Sequence, residues 1–404
     1  MSVRRPETAA LPEAGPRLPL PQPLRGVRVL EVADRRVAYA GRLLAGLGAE
    51  VILIEPPERR RDAPTPADLY FRSGKKAVTL DLAVAAGRHT LFRLAAYADV
   101  LLVAGPPGER RRLGLTFEDL HPAFPRLVVG SIADFGLSGP DADRPANELV
   151  AFAESGLMSI SGTPGEPPVA APPHHAADLA GAYLAFGVLV ALWERARTRR
   201  GREVEVSVQE ALAVEEHTIS TASDEGRDLV RVGSQHMVAV PGSVFRVKDG
   251  YVHAYVADTM PGSWERLLEW MGHPPELADE RYRQGLYRRA HVEEITPVVA
   301  RFFARFTRQE LYLEGQRRRL CITPVNTPRE YLEDVQTRAR GFVVQARVPG
   351  HGWVGVPGSP FLLNGHRVPP AGVPRPGEHN REVYLGLVGY GEEELAALAQ
   401  SGVV

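Results

Sequence analysis

Apolar and polar positions along this chain follow two periods in turn. "VRVLEVA" (Val27–Ala33) and "EVILIE" (Glu50–Glu55) are short apolar runs of the kind that fill buried strands. Between them "AYAGRLLAGLG" (Ala38–Gly48) carries apolar residues at helical spacing and ends in glycine. Together they predict a βαβ unit, which favours a parallel sheet. The pattern repeats in "AVTLDL" (Ala77–Leu82), a helical stretch through Leu91 to Tyr97, and "DVLLVAG" (Asp99–Gly105). "RLVVGSI" (Arg126–Ile132) adds a further strand. The first 135 residues therefore read as a doubly wound α/β domain, in which ligands sit at the carboxyl ends of the strands.

The pattern then changes. "HHAADLAGAYLAFGVLVALW" (His174–Trp193) contains a helix that is apolar on every side after one carboxylate, Asp178. Two readings of that carboxylate stand side by side. It can bind free backbone N–H groups at the positive end of the helix dipole, or it can be a nucleophile. "REVEVSVQEAL" predicts a strand running into a helix, and "SVFRVKDGYVHAYVA" (Ser243–Ala257) a hairpin turning at Asp249-Gly250. Helical stretches follow over Ser263–Met271 and Val292–Glu314, and the chain closes with short strands and two terminal helices. Ser220 to about Pro324 reads as a smaller second domain, and the proline-rich 1–24 as a flexible leader.

Composition removes several function classes. A net charge of −1 offers no electrostatic case for nucleic acid. The longest uncharged stretch, Leu179–Trp193, has fifteen residues against the roughly 20 needed to span a bilayer, so no membrane partner is expected. One cysteine, Cys321, excludes a disulfide framework and a thiolate metal cluster, fits a cytoplasmic location, and reads as a buried apolar filler. No metal site is expected: His174 and His175 are adjacent, without H-E-x-x-H, and read as surface loop.

The remaining motifs carry little chemistry. "GHGWVG" (Gly350–Gly355) matches G-x-G-x-x-G, but Val356-Pro357-Gly358 blocks the helix a dinucleotide site needs, so it reads as a turn between strands. Lys75 and Lys76 in "RSGKKAV" read as a solvated strand entry, and the basic runs Arg59–Arg61 and Arg110–Arg112 as solvated, with a phosphate contact as the alternative. G-x-S-x-G is absent from the sequence.

From Leu24 onward, segments in order resemble the family III CoA-transferases, also called the CaiB/BaiF family. They are "LRGVRVLEV", "YAGRLLAGLGAEVILIEPP", "GKKAVTLDL", "ADVLL", "PPGERRRLGLTFEDL", "FPRLVVGSIADFGLSGP", "ESGLMSISGTPGEPP", the Asp178 helix with its D-x-x-G, and "PGEHNREVYLGLVGYGEEELAALAQSGVV". The resemblance implies a Rossmann-like large domain, 25–219 plus 325–404, with an inserted smaller α+β domain, 220–324, in an interlocked homodimer. It implies an acyl-CoA:carboxylate CoA-transferase whose nucleophile is Asp178, followed by Gly181. An acyl-CoA and a carboxylic acid are its substrates, with no permanently bound cofactor. Matching the family's CoA contacts onto this sequence gives Arg35, Arg36, Leu80, Leu82, Ala104, Gly105, Arg112 and Leu113. The alternatives are a racemase of 2-methylacyl-CoA esters, whose histidine would fall in Ala146-Asn147-Glu148, and a non-catalytic CoA-binding subunit.

Overall fold

The computed structural model describes residues 22–58, 65–215, 226, 229–236, 239–348, 352–367 and 372–404. Most of the expected leader, all of Arg59–Arg61 and the start of the glycine-rich turn lie outside them. The described residues form two compact units. One takes those of Met1–Asp143, Ala180–Val206 and Gly341–Val404, the other those of Arg144–Leu179 and Ser207–Arg340. The expected 220–324 segment falls within the second unit, which also takes in 144–179, 207–219 and 325–340, all expected in the large domain.

The first unit is built on a six-stranded sheet in the order β3-β2-β1-β4-β5-β6. Its strands are β1 (Arg28–Val32), β2 (Glu50–Glu55), β3 (Lys76–Thr79), β4 (Val100–Ala104), β5 (Val128–Ala133) and β6 (Glu203–Ser207). β1 to β5 pair in parallel. Strands buried on both faces need apolar residues at every position rather than alternation, as "VILI" and "VLLV" show. Helices α1 (Arg35–Gly46), α2 (Pro66–Phe71), α3 (Ala85–Ala95), α4 (Pro107–Leu113) and α5 (Phe117–Leu120) join them. α1 begins three residues earlier than its apolar spacing predicts, because Asp34 caps it by accepting from the Arg36 amide.

β3 ends at Thr79, short of the predicted "LDL". The C-terminal segment explains the stop. In helix Asn380–Gly386, the Asn380 carboxamide accepts from the Thr79 amide at 2.9 Å, and the Tyr384 hydroxyl donates to the Thr79 carbonyl at 2.7 Å. The edge strand's last residue is thereby covered by side chains 301 and 305 residues away, one way of protecting an edge. In a separate two-stranded ribbon, β10 (Val343–Val348) with β11 (Gly352–Pro357), the tail of the glycine-rich motif, Gly352–Gly355, lies within a strand where a turn was expected.

The second unit holds α6 (Glu148–Glu154), α7 (Leu157–Ile160) and α9 (Val208–Glu215), and an antiparallel sheet in the order β7-β8-β9. β7 (Gly242–Val247) and β8 (Gly250–Tyr255) form the predicted hairpin, and β9 (Cys321–Pro324) adds to β8. The single helix expected over Val292–Glu314 is two, Val292–Phe303 and Arg308–Arg317, because Thr307 and Glu310 form a capping box that starts the second. Phe245, Val252, Trp264, Phe303, Leu311 and Ile322 fill this unit's core.

The long apolar helix, α8 (His175–Thr198), starts in the second unit and runs into the first. Ala180, Leu184, Val188 and Ala191 are buried. A Cβ added to Gly130 of β5 would meet Leu184 and Val188 at 3.2 and 3.1 Å, so this glycine lets α8 lie close on the sheet. α8 has 24 residues, and an 18-residue stretch of it has a mean hydropathy of 1.7, so it is long and apolar enough to cross a membrane by length and composition alone; 44% of that stretch is buried within the protein, the setting of a core helix.

Three further expectations are overturned. Cys321 is exposed: as the first residue of a short edge strand it faces outward. Lys75 is buried, because it reaches Glu31 across the strands. Arg110 is also buried, its guanidinium held by Glu203 at 3.0 Å and the Leu115 carbonyl at 3.3 Å.

Candidate active site

The start of α8 is assembled from two helices of the second unit. His174 precedes α8 with a φ of 72°, a left-handed turn unusual for a residue with a Cβ. Asn147 caps α6 by accepting from the Val150 amide at 3.0 Å. Glu148, the first residue of α6, then turns its carboxylate to α8, accepting from the His174 amide at 2.7 Å and from the Ala177 amide at 3.0 Å. Glu148 thus does for α8 what a capping side chain does, and satisfies amides that a helix start leaves over. Asp178 sits in that first turn, half-buried, and its own amide already donates to the His174 carbonyl at 3.0 Å. Glu148 therefore shares in the capping that one reading gave to Asp178.

Three residues on, Gly181 packs against α1. A Cβ there would lie 3.0 Å from the Tyr39 Cβ, 3.3 Å from the Ala40 nitrogen and 3.4 Å from the Arg36 carbonyl. Glycine at that position lets two helix backbones approach closely, which gives the D-x-x-G spacing a physical reason.

In the first unit six of the eight other candidates stand at or just after strand ends, and the last two close the helix after β4. Arg35 and Arg36 follow β1, Leu80 and Leu82 follow β3, and Ala104 and Gly105 end β4, with Arg112 and Leu113 on the helix after it. These strands are parallel, so all their carboxyl ends share one edge. With β2 and β1 between them, β3 and β4 stand about 14 Å apart there. A cavity of about 380 Å³ opens at the ends of β1 and β2, lined by Arg35, Phe71, Arg72, Glu31, Glu55 and Pro56 among others. The Arg35 guanidinium lies 3.9 Å over the Phe71 ring at its wall. Gly105 has a φ of 113°, and a Cβ would press on the Glu109 carboxylate at 3.1 Å. Leu80 is buried and Leu82 half-buried, so both support the edge from beneath, while Arg112 is exposed on α4. Arg36 is tied to Asp34 at 2.8 Å and Asp134 at 3.0 Å. Burial works against its charge, but the two carboxylates outweigh it and hold its pKa up.

The model of the family described as "CoA-transferase family III" matches residues 24–380. The chain belongs to CoA-transferase family III, and it is a transferase. This transferase is 30% identical to a formyl-CoA:oxalate CoA-transferase of Streptomyces avermitilis, with 94% of this chain and 99% of that one covered. It is 32% identical to the succinyl-CoA:(R)-benzylsuccinate CoA-transferase subunit BbsE of Thauera aromatica, with 93% and 97% covered. Among solved structures, a CaiB/BaiF family protein from Brucella suis superposes with a TM-score of 0.81 at 25% identity, covering 91% of this chain and 99% of that one.

Sequence reasoning missed two features of the transferase. Glu148 entered only as a neighbour of Asn147, and nothing in its spacing announced that it would cap a helix starting 27 residues later. The second is a pair of buried ion pairs in the first unit. The Lys75 ammonium donates to both Glu31 oxygens, at 2.5 and 2.6 Å, and to the Ala38 carbonyl at 3.1 Å. Arg72 donates to Glu55 at 2.5 Å. Desolvation pushes Glu31 up to about 7 even beside Lys75, and the nearby Glu55 adds to the rise. Desolvation likewise pushes Lys75 down. A Cβ on Gly41 of α1 would fall 1.6 Å from the Glu31 carboxylate, so that glycine makes the room for the pair. Lys75 stands just before β3 and Glu31 on β1, with β2 between them, so no local pattern in the sequence signals the pair.

Proposed function

We propose that this transferase moves CoA from an acyl-CoA thioester to a free carboxylate with Asp178 as the nucleophile. The observation that carries the reading is the capped start of α8. Two amides at that start, those of His174 and Ala177, go to Glu148, a carboxylate other than Asp178. A carboxylate is ionised near neutral pH without a separate base and attacks a thioester carbonyl directly. The Asp178 Oδ–acyl bond forms as the acyl–sulfur bond breaks, giving an aspartyl–acyl anhydride and the CoA thiolate. The thiolate then attacks the aspartyl carbonyl, releasing the first acid as its carboxylate and leaving an aspartyl–CoA thioester. The acceptor carboxylate attacks that thioester, and the thiolate returns to the acceptor's carbonyl from the mixed anhydride, regenerating Asp178.

CoA is long and anionic, and the edge formed by β1, β3 and β4 suits an extended ligand of that kind. Arg35 at the cavity and the exposed Arg112 are the cations placed for its phosphates. Arg36, already tied to Asp34 and Asp134, serves by orienting the β1–α1 turn. These relatives are named for formyl-CoA with oxalate and for succinyl-CoA with D-citramalate or (R)-benzylsuccinate, so formyl-CoA and succinyl-CoA are the first donors to try.

The racemase alternative needs a second proton-transfer group. Asn147, at the position where that histidine would fall, spends its carboxamide capping α6, and an amide does not exchange protons near neutral pH. The proposal extends to a homodimer. Tyr183, Phe186, Val190 and Trp193 recur at helical spacing on α8 and are 39 to 68% exposed, an apolar stripe suited to a second copy. Mass photometry at nanomolar concentration should find no stable species near 44 kDa.

The test of the nucleophile is covalent. Incubation with succinyl-CoA or formyl-CoA should leave a hydroxylamine-sensitive adduct on the peptide containing Asp178, and Asp178→Ala should lose both the adduct and turnover. Full activity in the Ala variant would overturn the assignment.

A further inference from the structure

We propose that Glu148 is a positioning residue for the first turn of α8, and through it for Asp178. The inference rests on the nucleophile reading above and adds a residue to it. Glu148 is half-buried and starts α6 next to that helix's own cap, Asn147. Its two oxygens go to two different amides of α8, Oε2 to His174 and Oε1 to Ala177. These bracket the first turn: one lies before the helix, the other one residue before Asp178. A single-oxygen cap from Ser or Asn at position 174 would hold only one of them. His174 holds a left-handed backbone there, which is costly unless surrounding bonds enforce it, and the bond from its amide to Glu148 is one such restraint. The imidazole Nδ1 of His174 stands 3.9 Å from the same carboxylate.

The chemical consequence concerns geometry. A nucleophile displaced by about 1 Å can lose on the order of a hundredfold in rate. Clamping both ends of the turn that carries Asp178 removes that freedom. It also occupies the His174 and Ala177 amides, so neither is a donor to an oxyanion formed at Asp178.

The test uses the full-length protein and three variants, Glu148→Ala, Glu148→Gln and Asp178→Ala. Hydrogen exchange at the His174 and Ala177 amides reads the clamp without substrate, and should quicken in Glu148→Ala. The rate of adduct formation on Asp178, measured with whichever of succinyl-CoA and formyl-CoA turns over faster, should fall by about tenfold to a hundredfold. KM for that donor should stay within about twofold. Glu148→Gln keeps one strong acceptor oxygen and should recover part of both effects; it also keeps the test valid if the Ala variant folds poorly. Adduct formation at the wild-type rate with faster amide exchange would reduce Glu148 to a structural cap and overturn the proposal. Unchanged exchange would overturn it as well. An active Asp178→Ala, by contrast, marks failure of the nucleophile reading itself.

Discussion

Two groups of acidic side chains in this molecule look alike in sequence and differ in setting. In the first unit Glu31 and Glu55 are buried, each held by one cation at 2.5 Å. In the second, Glu148 and Asp178 are half-buried at the start of α8, and Glu148 is engaged by backbone amides. A buried ion pair costs heavily to desolvate, so its members are committed to each other. A carboxylate at a partly open helix start can meet a ligand. The difference teaches that commitment, rather than residue type, separates a structural acid from a chemical one.

The largest expected effect sharpens that contrast. Asp178→Ala should abolish turnover while changing stability by no more than about 1 kcal/mol, the size of a helix-start effect. Chemical denaturation alongside an activity assay measures both. Lys75→Met should do the reverse in kind, costing about 3–5 kcal/mol because it strands Glu31 without its cation. The double variant Glu31→Gln/Lys75→Met should regain most of that loss. If the double variant is no more stable than the single, the pair is not a coupled unit.

A smaller effect is read in pH. The pKa of Glu31 rises from an ordinary 4.5 to about 7 on folding. The folded protein therefore holds a proton that the unfolded chain has already released. Its contribution is fully present below pH 4.5, is lost progressively as pH rises to about 7, and is flat above that. The total is at most roughly 3 kcal/mol. Glu31→Gln should lack this fall, and parallel curves for the two proteins between those limits would refute it.

The smallest effect tests the helix contact at the D-x-x-G glycine. Gly181→Ala places a methyl 3.0 Å from the Tyr39 Cβ and 3.3 Å from the Ala40 nitrogen. Overpacking of that kind costs about 1–3 kcal/mol, offset by the better helix propensity of alanine. A variant as stable as the parent, or more so, would mean that α1 and α8 have room to separate.

Apolar periodicity was enough to read the parallel sheet, the β7–β8 hairpin and α8, because a strand buried on both faces and a core helix write their burial into neighbouring residues. The order of "LEV", "LIE" and "LLVAG" likewise placed Arg35 after one strand and Gly105 at the end of another, which local chain direction alone decides. Asp178 was legible as one charge before fifteen uncharged residues. The tertiary structure decided what those charges do. Lys75 looked solvated because nothing adjacent in sequence is its partner, and Glu31 lies 44 residues away. Thr79 ended a strand that sequence continued, because Asn380 and Tyr384 arrive from the far end of the chain. Glu148 caps α8 from 26 residues upstream of His174. Periodicity is a local property of the chain, whereas desolvation, ion pairing and capping between elements depend on distances that exist only once the chain has folded.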